Sequence, residues 1–192
     1  MAYIVGTNKD DVIPSLPKFP NVSGYDVIYG LAGNDIIDGG LGNDRIYGGA
    51  DNDTLTDTLG NNTLYGENGN DTLEGGSGMD RFYGGTGADT FLFRDGDFAG
   101  LTSATADRIH DFAEADSDKL DFSNVDANSL LGGDQAFAFI GSAAFGHHAG
   151  ELRYYQQSGV TYVAGDTNGD GTADFAVRID GLHTIVAGEL IL

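Results

Sequence analysis

The sequence predicts an all-β protein in which a right-handed parallel β-roll is capped by an antiparallel, β-sandwich-like region. Two observations lead to this fold. Nine-residue repeats of the form G-G-x-G-x-D-x-U-x, where U is apolar, run without interruption through residues 21–92. Beyond residue 93, segments that alternate apolar and polar side chains replace them, as half-buried strands do. We therefore predict a roll over residues 1–92 and a capping region over residues 93–192.

The repeats keep their register through eight copies, which begin at Asn21 and then at every ninth residue up to Gly84. Their sixth positions are Asp26, Asp35, Asp44, Asp53, Asn62, Asp71, Asp80 and Asp89. Their eighth positions are Ile28, Ile37, Ile46, Leu55, Leu64, Leu73, Phe82 and Phe91. Glycine at the first, second and fourth positions permits a loop with positive φ. The last three positions form a short strand, whose eighth side chain alone points inward because side chains alternate between faces.

Two repeats are expected to form one coil, so that like positions stack every 18 residues. The ninth positions support this, since Tyr29, Tyr47, Tyr65 and Tyr83 recur at that spacing. The same face carries Arg45 and Arg81 at seventh positions. This face is either a binding surface for an acidic polysaccharide or a structural ladder, since tyrosine is a good strand former.

The acidic loops of this roll predict bound calcium. Residues 21–92 contain ten Asp and two Glu against two Arg, a net charge of −10. Stacked carboxylates would repel one another without cations. Calcium accepts about 6–8 oxygen ligands, whereas magnesium requires a small octahedral shell. The nine-residue pattern is also a signature of calcium-binding RTX (hemolysin-type) repeats. The sixth-position residues are the candidate ligands, and we expect the weakest binding around Asn62, which lacks a charge.

The segment before these repeats contains one more candidate ligand. Residues 6–13 read as a degenerate first repeat with Asp11 at its sixth position. The register then breaks at residues 14–20, which contain all three prolines of the chain. Because proline lacks an amide donor and fixes φ, we predict an inserted surface loop here.

The capping region is predicted to consist mainly of strands. We expect strands at residues 106–112, 118–122, 136–140, 151–156, 160–164, 175–179 and 183–186, and a short helix at 126–132. Phe91–Phe93 is expected to start a strand that leaves the roll. The antiparallel sheet would pack on the end of the roll and cover its exposed edge.

A second type of calcium site is possible in residues 166–174, which read D-x-N-x-D-G-x-x-D and match the start of an EF-hand loop. The side-chain ligands would be Asp166, Asn168, Asp170 and Asp174, with the carbonyl of Thr172. The flanking segments resemble strands rather than helices. The alternative is a metal-free hairpin turn.

Composition excludes several function classes. The formal charge is −21 and the isoelectric point about 4.1, which argues against binding to nucleic acid or to anionic membrane surfaces. The chain has no cysteine and no apolar run of membrane-spanning length. We find no secretory segment at Met1–Val5, no H-E-x-x-H zinc motif and no G-x-S-x-G elbow. The sequence therefore predicts a non-enzymatic protein.

Several segments resemble one known family. Residues 87–93, 106–112, 118–123, 150–154 and 165–175, together with the repeats, are similar to the carboxy-terminal domain of serralysin-type secreted metalloproteases. The resemblance implies a calcium-filled β-roll that serves folding and secretion. The zinc protease domain of that family has no counterpart here, so proteolysis does not carry over. The repeats also resemble roll modules of secreted mannuronan epimerases, which assist alginate binding.

The last residues fit the same resemblance. Glu189, Leu190, Ile191 and Leu192 are similar to the uncleaved tail that type I exporters recognise in that family, although an edge strand would explain them equally well. We predict an extracellular calcium-binding module, either joined to a catalytic domain or free-standing. Its partners would be a type I exporter or, in the alternative function, an acidic polysaccharide.

Overall fold

A computed structural model describes residues 3–14, 24–98, 100–102 and 104–192. Most of the predicted insertion, residues 15–20, lies outside the described residues, as do residues 21–23 at the start of the first full repeat. The described part folds into two β-sheets. Two short 3-10 helices, Glu114–Asp116 and Ala187–Glu189, interrupt the strands.

The first sheet contains one strand from each odd-numbered full repeat and most of the capping strands. Its described strands, in spatial order, are β1 (Tyr3–Val5), β3 (Val27–Ala32), β5 (Arg45–Ala50), β7 (Thr63–Asn68), β9 (Arg81–Thr86), β11 (Asp107–Ile109), β16 (Phe175–Asp180), β15 (Val160–Asp166), β14 (Glu151–Gln157) and β13 (Ala138–Phe139).

The second sheet contains the strands of the even-numbered repeats. Its described strands, in spatial order, are β17 (Leu190–Ile191), β12 (Lys119–Asn124), β10 (Thr90–Arg94), β8 (Thr72–Glu74), β6 (Thr54–Thr56), β4 (Ile36–Asp38) and β2 (Val12–Ile13). The pairs from β2 to β10 are parallel. Successive repeats therefore alternate between the two sheets.

The predicted 18-residue coil and its core are confirmed. Ile28 pairs with Ile46, Ile46 with Leu64, and Leu64 with Phe82 along the first sheet. All eight eighth-position side chains are at most 2% exposed. Inward side chains thus stack on those one coil away in the same sheet, and the two stacks, one from each sheet, form one apolar core.

Strand length differs between the sheets. The repeat strands of the second sheet from β4 to β8 have the predicted three residues, whereas those of the first sheet have six and continue into the next repeat. The second residue of that next repeat adopts a positive φ, which is 91° at Leu31, 124° at Gly49, 77° at Glu67 and 101° at Gly85. The turn therefore begins later on this side of the roll than the sequence pattern predicts.

The prediction that Phe91–Phe93 leaves the roll is wrong. Strand β10 stays in the second sheet, paired in parallel with β8 and with β12. Phe91 and Phe93 are both buried in the core, because the strand keeps its alternation and its inward face stays apolar.

The capping region extends both sheets edge to edge. Strand β11 pairs in parallel with β9 and β16, and β14, β15 and β16 form the expected antiparallel part. Together with the roll they confirm the all-β fold class. The division of the chain at residue 92 stays a prediction, and both sheets run across it.

Two predicted elements are wrong for the same physical reason. Residues 126–132 form turns rather than a helix, since Asp126 Oδ1 accepts the amide of Asn128 at 3.0 Å. Residues 183–186 form no strand, because the amide of His183 donates to Thr161 Oγ1 at 2.8 Å. In both places side-chain oxygens satisfy the backbone amides that regular structure would use. Within the described residues, no helix combines the length and apolar character needed to cross a membrane.

Candidate calcium sites

The sixth-position residues form two columns that run along the roll. Column one, in the loops before the first-sheet strands, contains Asp26, Asp44, Asn62 and Asp80. Column two, before the second-sheet strands, contains Asp11, Asp35, Asp53, Asp71 and Asp89. All nine side chains are buried except that of Asp11, which is partly exposed.

One oxygen of each of these side chains from the second coil onward ties neighbouring coils together. In column one, Asp44 Oδ1 accepts the amide of Asp26 at 2.7 Å. In column two, Asp53 Oδ1 accepts the amide of Asp35 at 2.8 Å. The same bond recurs at 2.7–2.9 Å along the rest of both columns. This bond explains why a short side chain with an acceptor oxygen is needed at every sixth position.

On most carboxylates of the two columns, the second oxygen has no hydrogen-bond donor. Among the described residues, buried Oδ2 atoms without a hydrogen bond belong to Asp35, Asp44, Asp53, Asp57, Asp71, Asp80 and Asp89. An ionised carboxylate oxygen that is buried without compensation is strongly unfavourable. These oxygens therefore require either a proton or a cation.

For Asp35, Asp53, Asp71, Asp80 and Asp89, the space beside this oxygen is kept open by the first glycine of the same repeat. A Cβ on Gly30 would lie 2.2 Å from Asp35 Oδ2 and 2.5 Å from the carbonyl oxygen of Gly48. A Cβ on Gly66 would lie 2.3 Å from Asp71 Oδ2 and 2.5 Å from the carbonyl oxygen of Gly84. A carboxylate and a carbonyl from the next coil thus converge on a gap that only glycine leaves free. This all-oxygen donor set fits a hard cation such as calcium.

The electrostatics of the buried carboxylates also favour a bound cation. Burial raises the pKa of Asp44, Asp53 and Asp89 to about 6, that of Asp71 to about 7 and that of Asp80 to about 9. Without a cation, burial thus opposes ionisation of all five groups, and at neutral pH Asp80 favours the protonated form. A bound divalent ion would be the largest local charge and would reverse that preference.

Backbone oxygens must supply most of the ligands. Within the described ranges, no three acidic or histidine side chains converge on a single point. A cation in these loops would instead contact one or two carboxylates and several carbonyls of the glycine-rich turns.

Sequence reasoning missed three acidic residues that belong to this arrangement. Asp107 and Asp118 continue the two columns past the repeats, since their Oδ1 atoms accept the amides of Asp80 at 2.9 Å and of Asp89 at 3.0 Å. The signal was present in the D-x-U patterns at residues 107–109 and 118–120. Asp57, at a first position, is 4% exposed and follows no repeat rule.

At the opposite end, Asp11 continues column two but differs from its neighbours. Its amide donates to Asp35 Oδ1 at 2.7 Å, as the corresponding amides of the full repeats do. Its own Oδ2, however, accepts the hydroxyl of Thr7 at 3.0 Å. Its role as a calcium ligand stays a prediction, with one oxygen already engaged.

The loop at residues 166–174 has the hydrogen bonds of the metal-free alternative. Asp166 accepts the amides of Gly169 and Gly171 at 2.7 and 2.8 Å. Asp174 accepts the side-chain amide of Asn168 at 2.7 Å. Asp170 accepts both the amide and the hydroxyl of Thr172. Because N–H and O–H donors already hold these carboxylates, the geometry favours a turn, and calcium at this loop stays a prediction.

The tyrosine face is a continuous stack. Neighbouring rings from Tyr29 to Tyr83 have centroids 4.6–4.7 Å apart and planes within 13° of parallel. The faces of the inner rings are covered by other rings, so their exposed parts are edges. Arg45 and Arg81 lie exposed beside the stack. This arrangement favours the structural-ladder interpretation.

The predicted secretion tail forms the edge strand β17. Leu190 pairs with Leu120, and Ile191 with Asp121, while Leu192 packs against the core. Glu189 is buried and accepts the amide of Val186 at 2.8 Å. The folded protein therefore holds Leu190 and Ile191 in a sheet, and recognition of the tail by an exporter stays a prediction.

Known proteins that are similar to the chain include several solved structures. Two of them are an epimerase subunit and an extracellular lipase. One is the AlgE6R3 subunit of the Azotobacter vinelandii mannuronan C5-epimerase, with 23% identity, a TM-score of 0.44, and coverage of 97% of this chain and 80% of that one. The other is the extracellular lipase LipA of Serratia marcescens, with 17% identity, a TM-score of 0.37, and coverage of 99% of this chain and 39% of that one.

Among curated protein sequences, none matches the chain. The family model for the peptidase M10 serralysin C-terminal domain, however, matches residues 21–192, which include the repeats and the whole capping region. The chain therefore belongs to the peptidase M10 serralysin C-terminal family.

Proposed function

We propose that this chain is a non-enzymatic, calcium-dependent folding and type I secretion module of an extracellular protein. The observation that carries the proposal is the row of buried Oδ2 atoms without a hydrogen-bond donor, which belong to Asp35, Asp44, Asp53, Asp71, Asp80 and Asp89. Membership of the serralysin C-terminal family supports the same function.

Calcium would act through the stacked loops. Carboxylates of the two columns would hold the ions together with carbonyls such as those of Gly48 and Gly84. When bound, the ion supplies the positive charge that the buried carboxylates lack. Extracellular modules bind calcium with dissociation constants of about 10⁻⁴–10⁻³ M. At much lower concentrations the sites would be empty, and the thin core would not hold the coils together. Ion binding outside the cell would thus supply folding free energy.

The chain would be exported in its unfolded state. In a low-calcium cytosol residues 189–192 would be accessible to a type I exporter. After export, calcium would fold the chain and place Leu190, 9% exposed, at the edge of the second sheet. A catalytic domain joined to this module would be carried out with it.

The test compares folding with and without calcium. Circular dichroism should show a largely unordered chain in excess chelator and strand signal in millimolar calcium, with several bound ions by elemental analysis. Magnesium at the same concentration is the matched control and should restore less structure, because it keeps its waters. A full β spectrum in chelator, without residual metal, would overturn the proposal.

A second candidate function is binding of an acidic polysaccharide at the tyrosine face. The exposed Arg45 and Arg81 favour it, whereas the stacked rings leave few faces on which a sugar could lie. Titration with alginate oligomers should then give saturable heat that Arg45→Ala reduces more than Tyr47→Ala does. No heat at millimolar sugar would leave the face a structural ladder.

A further inference from the structure

Repeat 57–65 exchanges the residues at two of its positions. Asp57 stands where most other repeats have glycine, and Asn62 stands where the other seven have aspartate. The repeat therefore keeps one negative charge at these two positions but places it elsewhere in the loop.

Asn62 has no unpartnered oxygen to offer a cation. Its Oδ1 accepts the amide of Asp44 at 2.8 Å, and its Nδ2 donates to the carbonyl oxygen of Gly75 at 3.1 Å. Gly75 is the first residue of the repeat one coil further on. In the corresponding place beside Asp35, the carbonyl of Gly48 faces a carboxylate oxygen without a partner. At Asn62 a hydrogen bond thus joins the two groups that elsewhere leave a gap for an ion.

Asp57 supplies the unpartnered oxygen instead. Its Oδ1 accepts the amide of Thr58 at 2.7 Å, whereas its Oδ2 is buried without a partner. That Oδ2 lies 2.2 Å from the position that a Cβ on Gly39 would occupy. In repeats 30–38, 48–56, 66–74 and 84–92, the oxygen nearest the first glycine belongs to the repeat's own sixth-position aspartate. In repeat 39–47 that place is taken by Asp57, from the next coil.

A second carboxylate lies within hydrogen-bond reach of Asp57 and belongs to Asp44, the sixth residue of repeat 39–47. It is 1% exposed, and its Oδ2 also lacks a partner. Two buried carboxylates whose Oδ2 atoms have no N–H or hydroxyl donor therefore lie next to each other, and Gly39 keeps open the space beside Asp57.

We propose that Asp57 replaces Asn62 as a carboxylate ligand, so that Asp57 and Asp44 hold one divalent cation, while the Asn62–Gly75 hydrogen bond closes the neighbouring position without an ion. The inference rests on the proposed calcium function and deepens it. It also reverses the sequence-based expectation that the roll binds calcium most weakly around Asn62.

Variants of the full chain test whether Asp57 replaces Asn62 as a ligand. Asp57→Asn keeps the shape of the side chain and removes its charge. It should lose about one bound ion at saturating calcium and raise the calcium midpoint of folding by about threefold or more, because affinity follows ligand charge. Asp51→Asn is the matched control, since Asp51 is an exposed carboxylate of the same roll. It should leave both quantities unchanged.

The double variant Asp57→Asn/Asn62→Asp moves the charge to the consensus position without changing the net charge. It should regain the lost ion and most of the midpoint. Equal behaviour of Asp57→Asn and Asp51→Asn, or a double variant no better than Asp57→Asn, would overturn the inference. A wild-type chain that folds without calcium would instead overturn the proposed function itself.

If Asp57→Asn does not fold at any calcium concentration, the single variant Asn62→Asp decides the question. We expect no lower midpoint and no extra ion, since Asp57 already supplies the charge and the bond to Gly75 is lost. A lower midpoint together with one additional ion would show that Asn62 marks a missing ligand and that Asp57 does not replace it.

Discussion

The imidazole of His110 stacks on the ring of Tyr83, with centroids 4.3 Å apart and planes 2° from parallel. The tyrosine stack therefore continues past the last repeat into the capping region. His110 Nδ1 also lies 3.0 Å from Asp180 Oδ2 in strand β16. Asp180 in turn accepts Arg108 Nε at 2.9 Å and lies 3.1 Å from Arg178 NH2. This cluster fastens the roll to the strands that follow it.

We expect His110→Ala to lower the free energy of unfolding by about 1–2 kcal/mol, since it removes an aromatic contact and a partner of Asp180. Urea unfolding in saturating calcium measures this change. The number of bound ions should stay the same, because His110 lies outside the calcium columns. His148→Ala, at an exposed histidine whose partner is Glu151, should have almost no effect. Equal losses in both variants would contradict the proposed fastening.

Glu67 stores backbone strain. Its φ of 77° lies where Gly85 stands one coil further on, and the left-handed region costs a residue with a side chain about 1–2 kcal/mol. Glu67→Gly should stabilise the calcium-bound fold by about 0.5–1 kcal/mol, after the extra chain entropy of glycine is subtracted. Thermal unfolding measures the gain. Glu67→Gln removes the charge but keeps the strain, and a gain as large as that of Glu67→Gly would assign the effect to charge.

The metal-free fold should depend on pH. Burial raises the pKa of Asp44, Asp53, Asp71, Asp80 and Asp89 in the folded state to values from about 6 to about 9, against about 3.9 when unfolded. Between the unfolded and the folded pKa values the folded state therefore binds more protons than the unfolded state. The stability of the metal-free fold falls as pH rises from about 4 to about 9.

In excess chelator we accordingly expect more strand signal at pH 5 than at pH 8. In saturating calcium the trend should flatten or reverse, since the ion requires deprotonated ligands. Circular dichroism titrations with and without calcium provide the comparison. More structure at pH 8 than at pH 5 in chelator would show that the buried carboxylates do not control the metal-free state.

Variants of the tail, residues 189–192, can distinguish its role in export from its role in folding. Deleting residues 189–192 should abolish appearance in the medium when a type I exporter is co-expressed. It should also cost about 1.5–3 kcal/mol of stability, because Leu190 is buried in strand β17. Leu190→Ala keeps the length of the tail and loses part of that burial. If Leu190→Ala is exported normally and the deletion is not, the tail acts as a signal. Normal export of the deletion variant would leave it only a structural strand.

Much of the roll follows from the sequence because its rule is local and periodic. The inward side chains, such as Ile46 and Leu64, and the 18-residue stack of tyrosines were predictable from spacing alone. Sequence did not reveal that both sheets continue through the capping region, since β11 and β16 pair across more than sixty intervening residues. Such pairing depends on distant contacts that no local pattern encodes.

The candidate sites were predictable to a similar extent. The two columns follow from the sixth positions, but Asp57 does not, because its role depends on a glycine one coil away. The loop at residues 166–174 shows the opposite limit. Its residues have the types and spacing of a calcium loop, yet their oxygens accept amides of the same loop. Residue types at the right spacing predict a set of metal ligands only where backbone amides do not already donate hydrogen bonds to the ligand oxygens.

The hydrogen bond from each sixth-position amide to a side-chain oxygen one coil away makes the roll a one-dimensional lattice. Each coil contacts only its immediate neighbours, so its stability is approximately a sum of nearest-neighbour terms. A defect in one coil is then felt mainly by the two that flank it, and melting should advance as a front from a free end. The last repeats carry Phe82 and Phe91 in place of smaller apolar residues and adjoin the capping strands. We expect folding to begin there, with each further coil taking its register from the coil already formed.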